Sequence, residues 1–498
     1  MTKKQFGAMA AAGLMGSACG AAVADKPSAP ERPMNILFLF ADDLKPLLGC
    51  YGDPLVKTPN MDALAARGAL FKRAACQVSL CAPSRASILT GLRPDTLSCY
   101  TNADKLRKTK PDIVTLPQAF QKAGYYTVSI GKVFDPRVND PSSWNELFLD
   151  GLEKNIYALE KNNRLFEENS ARYGAASAKE KQNLWRVGPA YEIGPPGESN
   201  YFDGQVVQKA IETLRRIKGK PFFLGVGVTK PHLPFSCPQK YWDLYDRAQI
   251  PLPPNPDRPA EGVVSMAYHD GFELRQFQDI PRTGKLDGEL ARTLIHGYCA
   301  CTSFADDMIG RVLAELDALG LKDSTIIVLL GDNGWHLGDK GIWCKLTAFQ
   351  EASIVPLIVV DPRRKGGTEV NGLVEFVDIC PTLCELAGVT PPKQLEGTSF
   401  VPLLDDPSRV WKTAVFSQAG RGADWKEFIG TSMRTERYNY IEWRHRTEGT
   451  LRAVELYDLE KDPRETVNLA ENPEYKPLLS LLAEQMKGGW QKARPESE

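Results

Sequence analysis

The chain has 498 residues, 43% of them hydrophobic, with 61 basic and 62 acidic residues and a formal net charge of −1. That length exceeds one small core and suggests about one to three folding units. The balanced charge excludes a nucleic-acid protein whose affinity comes from neutralising phosphates. The content of 41 Gly and 36 Pro fits a loop-rich globular protein rather than a disordered one. Beyond the N-terminal region no run of roughly 18 apolar residues occurs, so no transmembrane span is expected.

The first 24 residues read differently from the rest. Lys3 and Lys4 precede an apolar or small run from Phe6 to Ala18, and Ala22-Val23-Ala24 forms a small-x-small cleavage pattern. This is the layout of a secretory signal, and it implies an exported protein, periplasmic or secreted. A lipoprotein anchored through Cys19 is the lesser reading, because Gly16 stands where Leu is usual. Pro27 to Pro33 is a short polar linker. Export permits disulfides, but the cysteines after the signal are dispersed and show no paired metal-ligand spacing. Cys380 and Cys384, one helical turn apart, read as a buried helix face.

Several apolar runs then end in polar or Gly-rich turns. Asn35 to Phe40 ends at Asp42-Asp43, and Tyr126 to Ile130 ends at Gly131-Lys132. Pro221 to Val228 ends at Thr229-Lys230-Pro231-His232. Thr325 to Leu330 ends at Gly331-Asp332-Asn333-Gly334, and Pro356 to Val360 ends at Asp361. Continuous Val, Ile, Leu and Phe runs predict strands buried on both faces. Helical patterns lie between them: Met61 to Arg67, Gln205 to Ile217, Leu290 to Leu319, and Leu373 to Ala387 interrupted by Pro381. This alternation predicts an α/β protein, a large and mostly parallel sheet sandwiched by helices. In such sheets ligands bind beyond the carboxyl ends of the strands, so the polar turns should converge on one site. The stretch from about 145 to 200 is polar and reads as an insertion near the site entrance. After residue 395 the runs Val415-Phe416-Ser417, Met433-Arg434, Tyr438 to Trp443 and Glu455 to Leu459 predict a small antiparallel sheet. The expected organisation is therefore a signal over 1–24, a catalytic domain over 33–395 and a C-terminal subdomain over 396–498.

Cys81-Ala82-Pro83-Ser84-Arg85 runs on to Thr90-Gly91. Pro83 suits the first turn of a helix and Gly91 its end. Cys81 thus sits at a helix N-terminus that favours anions, with Arg85 one turn on. Asp42, Asp43, Asp332 and Asn333 offer only hard oxygen donors from two strand ends, which suit Ca2+ or Mg2+ and not zinc. Lys132, His232, His336 and Lys345 add a set of cations, with lysine acting as a point charge on oxyanions.

The Cys81-x-Pro83-Ser84-Arg85 segment with Thr90-Gly91 resembles the signature of the type I sulfatases, and the likeness covers nearly the whole chain after the signal. The group most resembled is that of the bacterial iduronate-2-sulfatase-like proteins, through Asp42 to Gly52 and Arg93 to Thr96. The resemblance implies an alkaline-phosphatase-like fold. It also implies a calcium-dependent sulfatase acting on a sulfated, polysaccharide-derived saccharide, such as a 2-O-sulfated uronate or an algal glycan. It implies that a maturation enzyme converts Cys81 to formylglycine, whose hydrate attacks sulfur. Asp42, Asp43, Cys81, Asp332 and Asn333 would hold the metal. Arg85, Lys132 and Lys345 would stabilise charge on sulfate, His232 would protonate the leaving oxygen, and His336 would contact substrate. His269, His296 and His445 are expected to be structural. One position departs: three residues after the first lysine the group has a histidine, and here it is Asp135, to which no catalytic role is carried. Two alternatives stay open. One is a phosphonate monoester or phosphodiester hydrolase of the same superfamily. The other is a non-catalytic binder of sulfated glycans, should Cys81 stay unmodified.

Overall fold

The computed structural model describes residues 33–149, 156–181, 183–259 and 262–496. The expected signal and Cys19 lie outside the described residues.

Among the described residues, nine strands form the main sheet. Its centre is the strand Asn35–Ala41, parallel to Phe222–Val228 on one side and to Thr325–Gly331 on the other. Tyr126–Gly131 follows in parallel beyond Phe222–Val228, and Glu146–Phe148 closes that edge. Every residue of Asn35–Ala41 is buried, and alternate side chains serve two cores. Leu37 and Leu39 pack with Leu214 and Phe304 from the helices Phe202–Ile217 and Gly288–Ala318. Ile36, Phe38 and Phe40 pack with Ile88, Phe120 and Phe376 on the opposite face. Each such side chain contributes about 1.5–3 kcal/mol by leaving water, which is why a strand with no polar face is stable only between two helical layers.

The register is what builds the site. Ala41 lies opposite both Val228 and Gly331, and Gly131 lies opposite Gly227. The four strands therefore end on one line, and the residues that follow each of them emerge together at the carboxyl edge.

Three expectations need correction. Ile354–Val360 runs antiparallel to Thr325–Gly331, so the sheet is mixed. Asp361 consequently emerges at the opposite edge from the other turns, where its carboxylate accepts from Arg363 Nε at 2.7 Å. The segment from Leu373 is not one helix broken by proline. Val374–Glu375 is a short strand, and the helix Ile379–Ala387 begins two residues before Pro381. Pro381 thus sits in the first turn, where its missing N–H has no partner to lose. The polar stretch after residue 145 also has structure of its own, the helix Glu160–Ala175 and the strand Tyr191–Gly194, which pairs with Phe235–Pro238.

A second, four-stranded antiparallel sheet comprises Val415–Arg421, Phe428–Arg434, Tyr438–His445 and Leu451–Asp458. The helix Lys476–Lys492 packs Leu482 against Phe416, Met433 and Leu456 of that sheet. Backbone hydrogen bonds between Gln418 and both Gln77 and Ser79 tie the first strand of this sheet to the segment that leads into Cys81. No described helix is long and apolar enough to cross a membrane.

Candidate active site

Cys81 opens the helix Cys81–Thr90, preceded by extended Leu80 and closed by Gly91 at φ 66°. All ten residues of this helix are buried. From its second turn Arg85, 0% exposed, reaches into the carboxylates. Its Nε donates to Asp332 Oδ2 at 2.8 Å and its Nη2 to Asp42 Oδ1 at 3.0 Å. Its Nη1 donates to the carbonyls of Lys132 and Val133. All three guanidinium nitrogens are thus committed to protein groups. Arg85 braces the carboxylates, and its hydrogen bonds do not show the sulfate contact expected of it.

Asp43 adopts φ 60°, a left-handed conformation in which Asp is one of the few non-glycine residues to occur. The turn lets its N–H donate to Asp332 Oδ1 at 3.0 Å and brings the Asn333 Nδ2 donor to its own Oδ1 at 2.7 Å. Lys345 Nζ donates to both oxygens of Asp43, at 2.6 and 2.8 Å, and lies 3.2 Å from Cys81 Sγ. Lys132 Nζ pairs with Asp42 Oδ2 and lies 3.7 Å from Asp135 Oδ2. His232 Nε2 is 2.9 Å from Glu273 Oε1 and 3.6 Å from Asp43 Oδ2.

The electrostatics follow from this crowding. Burial raises Asp332, and its neighbours Asp42 and Asp43 add to that against Arg85, leaving it at about 6. Burial also raises Asp43 despite Lys345. Burial opposes ionisation of Asp42 too, but Lys132, His232 and Arg85 hold it well below the usual carboxylate range. Burial and Lys345 press His232 down, yet Asp43 and Glu273 outweigh them and its pKa lies above the ordinary value. Burial drives the Cys81 thiol well above its usual range.

The donor set suits a hard cation. Oxygens of Asp42, Asp43 and Asp332 lie within 4.8 Å of one another. Asn333 Oδ1 is buried with no hydrogen-bond partner, which is costly for a polar atom unless something coordinates it. Three buried carboxylates and one orphaned carbonyl oxygen match the chemistry of Ca2+ or Mg2+. Cys81 Sγ also lies within 4.8 Å of ligand atoms of Asp42 and His232.

A cavity of about 270 Å³ opens above this cluster, lined by Asp42, Lys132, Arg137, Ile156, His232 and Phe304 among others. The cluster therefore gathers Asp42, Asp43, Cys81, Arg85, Lys132, His232, Asp332, Asn333 and Lys345. It does not gather His336, which is fully buried, outside the cavity lining, with Nε2 2.7 Å from Thr347 Oγ1. His269 is held neutral by burial, with a pKa near 3, and lies against the Lys345 carbonyl. His296 lies against that of Trp242. Two residues escaped the sequence reading, Glu273 and Arg137. Glu273 sits in a loop with no periodicity, and no motif marks it.

Comparison with known proteins agrees with this geometry. The sulfatase family matches residues 34–389, and the family described as N-sulphoglucosamine sulphohydrolase, C-terminal, matches 338–492. Human iduronate 2-sulfatase is 31% identical over 90% of this chain and 93% of its own. A solved sulfatase bound to its substrate D-glucosamine-2-N,6-O-disulfate superposes with a TM-score of 0.72 at 24% identity, covering 94% of this chain and 100% of that one. The phosphonate monoester hydrolase of Agrobacterium radiobacter has the same fold, with a TM-score of 0.70 at 22% identity over 92% of this chain and 95% of its own. The alkaline-phosphatase-like architecture and the match over most of the chain agree: this protein belongs to the sulfatase family, as a type I sulfatase of the iduronate-2-sulfatase-like group, and is a sulfuric ester hydrolase.

Proposed function

We propose that the protein hydrolyses a sulfate ester of a sulfated saccharide, using a formylglycine made from Cys81 by a maturation enzyme and a Ca2+ ion held by Asp42, Asp43, Asp332 and Asn333. The observation that carries this reading is the joining of three carboxylates, the Asn333 carbonyl oxygen and the Cys81 side chain in one buried cluster. An unmodified Cys81 would make a poor nucleophile, because burial keeps its thiol protonated and the thiolate is the reactive form. When present, the cation polarises a sulfate oxygen and the hydrated aldehyde supplies the attacking hydroxyl.

The chain's own groups prepare the rest. Arg85 fixes the angle between Asp42 and Asp332 and offsets their charge. Lys132 and Lys345 place two ammonium groups at the rim of the cluster, where developing negative charge on sulfate oxygens is stabilised by donors already in position. His232, on the cavity wall, carries a proton at Nε2 that Glu273 and Asp43 help to retain, and it can pass that proton to the departing sugar oxygen. Its Nδ1 lies against the Leu233 carbonyl, which sets the ring's orientation. The human iduronate 2-sulfatase and the disaccharide-type substrate of the solved relative favour a saccharide. The N-terminal pattern supports export to the periplasm or beyond.

Two measurements test this together. Intact-mass analysis of protein made alongside a maturation enzyme should show position 81 about 18 Da lighter than a thiol, as sulfur is replaced by a carbonyl oxygen. Side-by-side turnover should favour defined sulfated oligosaccharides over a phosphodiester. Full activity in Cys81→Ala, or faster cleavage of the phosphodiester, would overturn the reading.

A further inference from the structure

Asp135 stands where the related group has a histidine, and the structure shows what accompanies the change. Asp135 is 0% exposed. Its Oδ1 and Oδ2 accept from Arg137 Nε and Nη2, each at 2.7 Å, and its Oδ1 also accepts from the Arg137 N–H at 3.1 Å. The bidentate grip and the short 3-10 turn Pro136–Val138, capped by Asp135, fix the guanidinium against the backbone. Yet the Arg137 side chain is 54% exposed and lines the cavity together with Lys132 and His232.

The charges on that wall do not cancel. Lys132 and Arg137 both face Asp135, so one carboxylate stands against two cations. Cys81 and Glu273 lie near enough to bear on the Arg137 charge. Nη1 of Arg137 has no protein hydrogen bond among the described residues, whereas Nε and Nη2 are spent on Asp135. A guanidinium held on one side and open on the other is built to receive an anion, and its planar fork favours carboxylate or sulfate oxygens over hydroxyls. Asp135 is what makes this possible: it replaces a neutral or cationic ring with an anchor.

We propose that Arg137, anchored by Asp135, is a specificity-determining residue that recognises a second anionic substituent on the saccharide, a carboxylate or a further sulfate, beside the ester that is cleaved. The proposal rests on the sulfatase reading and deepens it. It accounts for an acid sitting close to an anion-binding centre, since the Asp135 charge is spent on Lys132 and Arg137 and not turned towards substrate.

The test compares three matched glycosides: a monosulfated hexose, the same sugar with its C6 carbon oxidised to carboxylate, and the same hexose with a second sulfate. The wild-type protein should prefer one or both dianions in kcat/KM, and which of the two it prefers identifies the anion. Arg137→Gln should lose roughly 10- to 100-fold of that preference, chiefly through KM, as expected for removal of a charge-assisted contact. Arg137→Lys should keep part of it. A wild-type protein without preference, or a preference that survives in Arg137→Gln, overturns the proposal. Calorimetric binding of the three sugars to Cys81→Ala protein, with and without Arg137→Gln, separates the two readings. Dianion binding that depends on Arg137 without any ester turnover in wild type would sink the sulfatase reading alone. Turnover with no dependence on Arg137 in rate or binding would sink this one alone.

Discussion

The ammonium of Lys345 bridges Cys81 and Asp43: its Nζ is 3.2 Å from the sulfur and 2.6 Å from Asp43 Oδ1. One cation therefore serves the reacting side chain and one of the cluster carboxylates, and Glu273 stands 3.5 Å from it on a third side. Lys345→Met should lower kcat by about 10²–10³-fold, the range for removing one preorganised charge. It should also destabilise the fold by roughly 3–5 kcal/mol, because Asp43 would be left buried without its partner. Turnover of an aryl sulfate and urea unfolding of the same samples measure both. A variant that loses activity with unchanged stability would show that Asp43 does not depend on Lys345.

The pair His232 and Glu273 sets a pH limb. Glu273 is itself pulled below the ordinary carboxylate range: burial opposes ionisation, and Lys345 and His232 overcome it. Because His232 must be protonated to donate, activity should fall as pH rises through its elevated pKa. Glu273→Gln removes one of the groups that hold the proton, so the alkaline limb of kcat/KM should move to lower pH. A limb that stays in place or moves upward would exclude His232 as the group titrating there.

The oxygen cluster should respond to hard cations in a way that does not need catalysis. Adding Ca2+ to chelator-treated protein should raise its unfolding temperature, with a stabilisation of about 2.7 kcal/mol at a concentration about 100 times Kd. Asn333→Leu, which deletes the orphaned carbonyl oxygen, should weaken that response by an order of magnitude or so in Kd. Thermal unfolding against metal concentration gives the result, and indifference to both Ca2+ and Mg2+ would rule out the assignment.

A separate buried network predicts acid sensitivity. Glu375 accepts from Arg93 Nη1 and Nη2 at 2.8 and 2.6 Å and from Lys412 Nζ at 2.7 Å. Burial opposes its charge, but Arg93 and Lys412 bring its pKa down to about 2 from the ordinary 4.5. A carboxylate lowered on folding stabilises the protein above its unfolded pKa, and that contribution is lost as pH falls from about 4.5 towards 2. Stability measured by denaturant across this window should decline in the wild type. Glu375→Gln should be less stable near neutrality and show a shallower acid decline; an unchanged slope would mean that other carboxylates govern it.

Much of this was legible in the amino-acid order. Runs such as Asn35–Ala41 and Thr325–Gly331 are apolar at every position, so their burial and the polar turns at their ends could be read directly, and the Cys81 motif named the centre. The direction of Ile354–Val360 could not be read, because a strand buried on both faces carries the same pattern in either orientation. Glu273 was invisible because a loop residue has no period to betray where it returns in space. His336 looked like a site histidine from its neighbours, yet the turn that carries it points the ring at Thr347 and the interior. Arg85 looked like a free anion ligand from its place one turn beyond Cys81, but two carboxylates from strand ends far away in the chain had already claimed it.

The enclosure of the Cys81–Thr90 helix also imposes a sequence of events in time. A small oxyanion can slip down to position 81, but another protein cannot, since the side chain is 1% exposed and every residue of its helix is covered. Whatever catalyst rewrites that cysteine has to meet it on an open polypeptide, before strands more than two hundred residues downstream in the chain arrive to seal it in. Chemistry at this position is a one-time appointment kept during biogenesis, and a molecule that closes unconverted has no later opportunity without unfolding.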